Sequence, residues 1–158
     1  MTAGTPGRTA FAAALALLTG RALTVGELEE RLHRRGYDAA SIAETSTRLL
    51  EYGYLDDRRT ALAWAECAAR IRGLGPRRLR VGLTKRRLPR EIVDETVAGI
   101  FAAGEESRSA LCVLEKWERA KGPAADTSSR HAAYAHLRRR GFSSAAARAA
   151  LFNRPEIE

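Results

Sequence analysis

The sequence predicts an all-α protein built from three tandem three-helix repeats, helix-turn-helix-like units without strands. No stretch sustains the period-2 alternation of β-branched and aromatic residues that a half-buried strand requires. Helix starts, apolar stripes and glycine stops recur along the chain. Leu32, Leu83 and Leu137 stand 51 and then 54 residues apart in matching surroundings: HRRGY, TKRRL and RRRGF follow them, and Tyr37, Leu88 and Phe142 coincide. So do Ile42, Val93 and Ala147, and Leu28, Leu79 and Ala133. A unit of this size buries its apolar face poorly alone, so neighbours are expected to stack, with repeats at 8–53, 54–104 and 105–152.

The first helix, near 8–19, carries AFAAALALL behind Arg8, which imitates a secretory signal. The run is short, and TGRA with Arg21 replaces the small-residue cleavage site that export needs, so an amphipathic helix is expected. Thr24 and Glu27 have capping-box spacing for a helix near 25–35 that buries Leu28 and Leu32 and stops at Gly36. Asp38 suits the cap of a helix near 39–52 with Ile42, Leu49 and Leu50 inward and Gly53 as its stop. Asp56 and Asp57 introduce a helix near 57–73 containing Leu62, Trp64, Ala65, Ala68 and Ile71, which ends in Gly73–Gly75. Pro76 fits the first turn of a helix near 76–87, and Pro89 precedes one near 90–103 with Ile92, Val93, Val97 and Ile100. A charged helix near 105–121, the linker-like GPAADTS, and helices near 128–140 and 144–152 complete the chain.

The net charge of +8 is local. Arg70, Arg72, Arg77, Arg78, Arg80, Lys85, Arg86, Arg87 and Arg90 occur with no acidic residue among them, which leaves 18 basic against 19 acidic residues elsewhere. A patch of one sign attracts phosphate backbones or an acidic protein surface. Leu79 and Leu83 lie about 40° apart around a helix and define its buried side, so Arg77, Arg78, Arg80 and Lys85 project elsewhere. No carboxylate stands at i, i+4 to neutralise them. Pro76 is expected to leave free amides near Arg77 and Arg78 where an anion could sit. Arg34, Arg35, Arg138, Arg139 and Arg140 are further candidates, although cations in a last turn before glycine also serve the helix end.

Enzymatic constellations do not occur. His33, His131 and His136 follow no metal-ligand spacing, and phosphate-loop, dinucleotide-binding and nucleophile-elbow motifs are missing. No catalytic residue, metal or cofactor is therefore expected. Trp64 and Trp117, mid-helix among apolar neighbours, read as core anchors. Cys67 and Cys112 stand far apart without CxxC spacing, which fits a reducing compartment. No apolar run approaches the ~20 residues that span a bilayer.

Three segments carry a family resemblance: LTVGELEERLHRRGYDAASI, then LLEYGYLDDRRTALAWAECAARIRGLGPRRLRVGLTKRRLPREIVDETV, then LRRRGFSSAAARAAL. Together they resemble the bacterial RecX family, modulators of the RecA recombinase, across most of residues 10–152. YGYLDD followed after one helix by GPRRLRVGL and a short helix with IVDE is the specific part. The resemblance implies three tandem three-helix repeats in a curved, elongated arrangement. It also implies a regulator that lodges in the groove of the RecA filament on single-stranded DNA and suppresses ATP hydrolysis, strand exchange and co-protease activity. The expected partners are that filament and single-stranded DNA, met by a cytoplasmic monomer with no membrane association. A sequence-tolerant DNA-binding helical module, or a helical adaptor for an acidic protein, are the alternatives.

Three features depart from the family pattern. Arg87 replaces a glycine that often closes the equivalent helix, and Thr60 stands where a bulky residue is common. The third unit is alanine-rich and ends soon after Phe152, so its last helix is expected to pack weakly or to serve elsewhere.

Overall fold

The computed structural model describes residues 9–152, and every regular element among them is an α-helix. In order these are α1 (Ala10–Gly20), α2 (Val25–Arg34), α3 (Ala39–Glu51), α4 (Asp57–Arg70), α5 (Pro76–Lys85), α6 (Arg90–Ile100), α7 (Glu105–Lys121), α8 (Thr127–Arg140) and α9 (Ser144–Phe152). Each bound falls within three residues of its expected position. Arg8, assigned from the sequence to the first helix, lies outside the described residues.

Side chains set the starts. Thr24 Oγ1 accepts from the Glu27 amide at 3.1 Å while Glu27 accepts from the Thr24 amide at 3.0 Å, a complete capping box. Asp38 accepts from Ser41 N at 3.0 Å, Asp56 from Arg59 N at 2.9 Å and Asp126 from Ser129 N at 2.8 Å. Each occupies one of the donors a helix start leaves without an internal partner. The stops need left-handed backbone: Gly36 has φ +86° and Gly141 φ +97°. Arg87, in the same place in the middle repeat, has φ +59° and is the only non-glycine with positive φ among the described residues. Arg87 thus adopts the left-handed conformation that glycine supplies at the matching positions Gly36 and Gly141.

The chain divides into two compact units. The first holds the residues through Ala63 together with Leu83–Val93, and the second holds Trp64–Gly82 and the residues from Asp94 onward. The division therefore falls within α4, α5 and α6. In the first unit α1, α2 and α3 pack on one another around Leu23, Leu28, Leu32, Ile42, Leu49 and Leu55. Complete burial of a leucine contributes about 1.5–3 kcal/mol, so the four fully buried leucines Leu23, Leu28, Leu32 and Leu49 dominate this core. Leu50, expected inward, is exposed instead, because it lies about 80° around α3 from the stripe that Ile42 and Leu49 define.

In the second unit α7, α8 and α9 surround Leu114, Leu137 and Phe142. α9 does not pack weakly, as its alanine content suggested. Ala146, Ala147 and Ala150 are all buried in the cluster, because small side chains let α9 lie close to α7. Leu79, Leu83, Leu88, Val93 and Val97 of the middle repeat are buried as the periodicity requires, and Thr60 is buried in place of a bulkier side chain.

Candidate functional site

The basic segment from Arg70 to Arg90 turns out to be partly structural. In the first unit the C-terminal end of α5 meets the N-terminus of α2. Thr24 Oγ1 donates to the Arg86 carbonyl at 2.5 Å, and the Arg86 guanidinium donates to Glu27 Oε2 at 3.0 Å and to the Ala22 carbonyl at 3.3 Å. The Arg86 and Glu27 side chains are only 17% and 16% exposed, so this pair belongs to the scaffold. Arg87 reaches Glu30 at 3.2 Å, and Arg34 reaches the same carboxylate at 2.8 Å. A Cβ on Gly26 would lie 2.6 Å from Arg87 Cβ and 2.9 Å from its carbonyl oxygen, so glycine is required where the two backbones approach.

In the second unit the N-terminal end of α5 meets the C-terminus of α8. Gly75 N donates to the Arg140 carbonyl at 2.9 Å and Arg77 N to the Gly141 carbonyl at 3.1 Å. The Arg78 and Arg77 guanidinium groups donate to the carbonyls of Arg139 at 2.9 Å and Arg138 at 3.4 Å. The Arg77 amide, which Pro76 was expected to leave open for an anion, is therefore occupied, as is the Gly75 amide before it: the positive end of α5 meets the negative end of α8. By the repeat spacing Gly75 corresponds to Thr24, and Arg140 to Arg86. The two junctions are copies of one contact.

Other cations find partners that spacing along one helix could not show. Arg80 pairs with Asp94 of α6, Arg140 donates to the Arg72 carbonyl, and Arg138 donates to the Phe142 carbonyl at 2.6 Å. Arg72 lies 5.9 Å from the Trp64 ring centroid. Arg35, Arg70, Lys85, Arg90 and Arg139 are exposed.

Three concavities distinguish themselves by charge. Arg87 lines one of about 410 Å³ in the first unit with Glu29, Glu30 and His33. Arg70 lines one of about 580 Å³ in the second unit with Glu66, Glu105 and Arg108. Glu29 and Glu30 outweigh Arg87 in the first, and Glu66 and Glu105 offset two of the three cations, Arg70, Arg108 and Lys116, in the second. A third, of about 450 Å³ in the second unit, is lined by Arg72, Lys116, Lys121, Arg139 and Arg140, with Trp117, His136 and Ile71 and no carboxylate.

Sequence reasoning missed Lys116, Lys121 and the groove-facing aspect of Trp117. The signal was a shared helical face: Val113, Lys116, Trp117, Ala120 and Lys121 recur at i, i+3, i+4, i+7 and i+8 on α7, and His136, Arg139 and Arg140 at i, i+3 and i+4 on α8. Trp117 is half-buried; part of it packs on the core and part lines the groove, with its ring centroid 6.4 Å from that of His136. Burial, then Arg140 and Arg139, hold the His136 imidazole below its usual pKa. No cluster of metal-ligating side chains occurs among the described residues, and no described helix is long and apolar enough to cross a membrane.

Fold and surface thus define an all-helical protein of repeated three-helix units, with one groove lined by cations and no carboxylate. Family models described as the first and second three-helix domains of RecX match residues 10–54 and 56–97. A Regulatory protein RecX of Mycobacterium sp. (strain JLS) is 34% identical over 137 residues, covering 85% of this chain and 75% of that one. One from Deinococcus radiodurans is 32% identical over 135 residues, covering 84% and 61% respectively. The crystal structure of RecX from Lactobacillus salivarius superposes with a TM-score of 0.81 at 17% identity, over 91% of this chain and 93% of that one, which shows a shared fold. The chain belongs to the RecX family of regulatory proteins.

Proposed function

We propose that the protein binds the RecA filament on single-stranded DNA and lowers its ATP hydrolysis, strand exchange and co-protease activity, without catalysis of its own. Membership of the RecX family, through both matched three-helix domains, is the observation that carries this function. The protein acts as a cytoplasmic monomer of three repeats divided at 8–53, 54–104 and 105–152. Its contacts with DNA and RecA come from the exposed candidates Arg35, Arg70, Lys85 and Arg139, while Arg86 holds the scaffold.

The decisive measurement is the DNA-dependent ATPase of the cognate RecA on preformed filaments. Addition of this protein at stoichiometric ratios should lower the rate severalfold, and an unchanged rate would overturn the proposal. The carboxylate-free groove of the second unit favours direct contact with DNA as part of the same action.

A further inference from the structure

We infer that the groove formed by α7, the last turn of α8 and the segment Ile71–Gly73 is a binding site for single-stranded nucleic acid. The phosphates lie against Lys116, Lys121 and Arg139, and a base lies against Trp117 and His136. This site rests on the filament reading for its biological setting, yet its chemistry is testable without RecA.

Charge is the first support. Five cations line the groove and no carboxylate does, whereas the other two concavities that hold candidate arginines each contain two glutamates. Arg140 is bonded to the Arg72 carbonyl and Lys116 also borders the concavity of Glu66 and Glu105, while Lys121 and Arg139 face the groove with no carboxylate in its lining. A strand that displaces condensed counterions gains affinity from their release.

Aromatic surface is the second. The Trp117 and His136 rings are tilted 42° at a centroid distance of 6.4 Å, so neither face is stacked on the other. Single-strand binders combine a cationic groove with aromatic platforms, and every base has a face to stack, which makes such binding tolerant of sequence. Ile71, at 76% exposure, extends the apolar wall. A volume of about 450 Å³ lies within the range that accommodates a nucleotide-sized ligand.

Anchoring is the third. Arg140 is held by its bond to the Arg72 carbonyl, and the Arg139 backbone is held by Arg78, so this part of the wall is pre-set before a ligand arrives. An acidic peptide would meet the cations but bring no base to the Trp117 and His136 rings, so it uses only part of the groove.

The test uses the full chain without RecA, with a fluorescein-labelled oligothymidylate as the probe. Binding should quench tryptophan fluorescence, and Trp117→Phe should abolish the quench while Trp64 continues to emit. Lys116→Glu with Lys121→Glu should weaken binding about tenfold or more, and the slope of log affinity against log salt should fall by about 0.7 for each phosphate no longer neutralised. Lys116→Arg with Lys121→Arg should restore both. Arg130→Glu with Arg148→Glu makes the same charge change on exposed helical positions of the same unit that do not line the groove, and should weaken binding less than about threefold. Equal losses from the two Glu pairs, no quench from Trp117, or displacement of the oligonucleotide by polyglutamate at equal charge would each overturn the site. Intact oligonucleotide binding with no effect on the RecA ATPase would sink the filament reading and leave the site standing.

Discussion

Thr24 shows how little of a residue's role is visible in its local pattern. Its hydroxyl accepts from Glu27 N within the capping box and donates to the carbonyl of Arg86, 62 residues away, and the side chain is fully buried. Thr24→Val keeps the shape and leaves two backbone groups unsatisfied, so it should cost about 1–3 kcal/mol in urea unfolding, while Thr24→Ser should cost much less. The neighbours Lys85 and Arg86 separate in the same way. Arg86→Ala removes a part-buried partner of the Glu27 carboxylate, which keeps the Thr24 amide and Arg21, and should lose about 1–3 kcal/mol, whereas Lys85→Ala, at an exposed position, should stay within about 0.5 kcal/mol. His136 supplies a pH signature. Its folded pKa lies below 6.5, so between that value and 6.5 the folded chain binds fewer protons than the unfolded one. Stability should therefore fall as pH drops through this window, and His136→Gln should flatten the fall when melts are compared at about pH 7.5 and 5.5.

At the scale of elements, α5 explains why the repeat is written as it is. Its C-terminal end docks on α2 in one unit, and its N-terminal end receives α8 in the other, through the same class of contact. Opposite helix ends satisfy each other's unpaired amides and carbonyls, and backbones approach closely at Gly26 in one junction and at Gly75 and Gly141 in the other. Gly26→Ala should destabilise by about 1–3 kcal/mol, because the new Cβ meets backbone that cannot yield. Arg87→Gly should act in the opposite direction. It relieves left-handed strain of about 1 kcal/mol and gives up only a surface pair with Glu30, so thermal unfolding should rise by about 2–4 °C. A drop in Tm would show that the ion pair outweighs the strain.

Across the whole molecule, the concentration of charge between Arg70 and Arg90 overstates the binding surface. Several of its arginines stabilise junctions, while Lys116 and Lys121, outside the segment, complete the carboxylate-free groove with Arg72, Arg139 and Arg140. Binding to DNA should consequently depend steeply on salt, yet Arg86→Ala should reduce it only as far as it unfolds the protein. Affinity measured by anisotropy well below the unfolding midpoint separates those effects.

The sequence by itself determined that the chain is helical, where each helix begins and ends, and most of the leucines that face inward. Those features follow from periodicity and from caps such as Thr24, Asp38 and Gly141, whose capping bonds, unlike their other contacts, span only a few residues. Its motifs also carried the family. Only the tertiary structure decided which cations are free to act. Arg86 and Arg140 look alike on paper as helix-end arginines, but a hydrogen bond to Glu27 from α5 and one to the Arg72 carbonyl from α8 connect positions 59 and 68 residues apart. Separations of that size leave no trace in local spacing, because they depend on how helices distant in sequence meet.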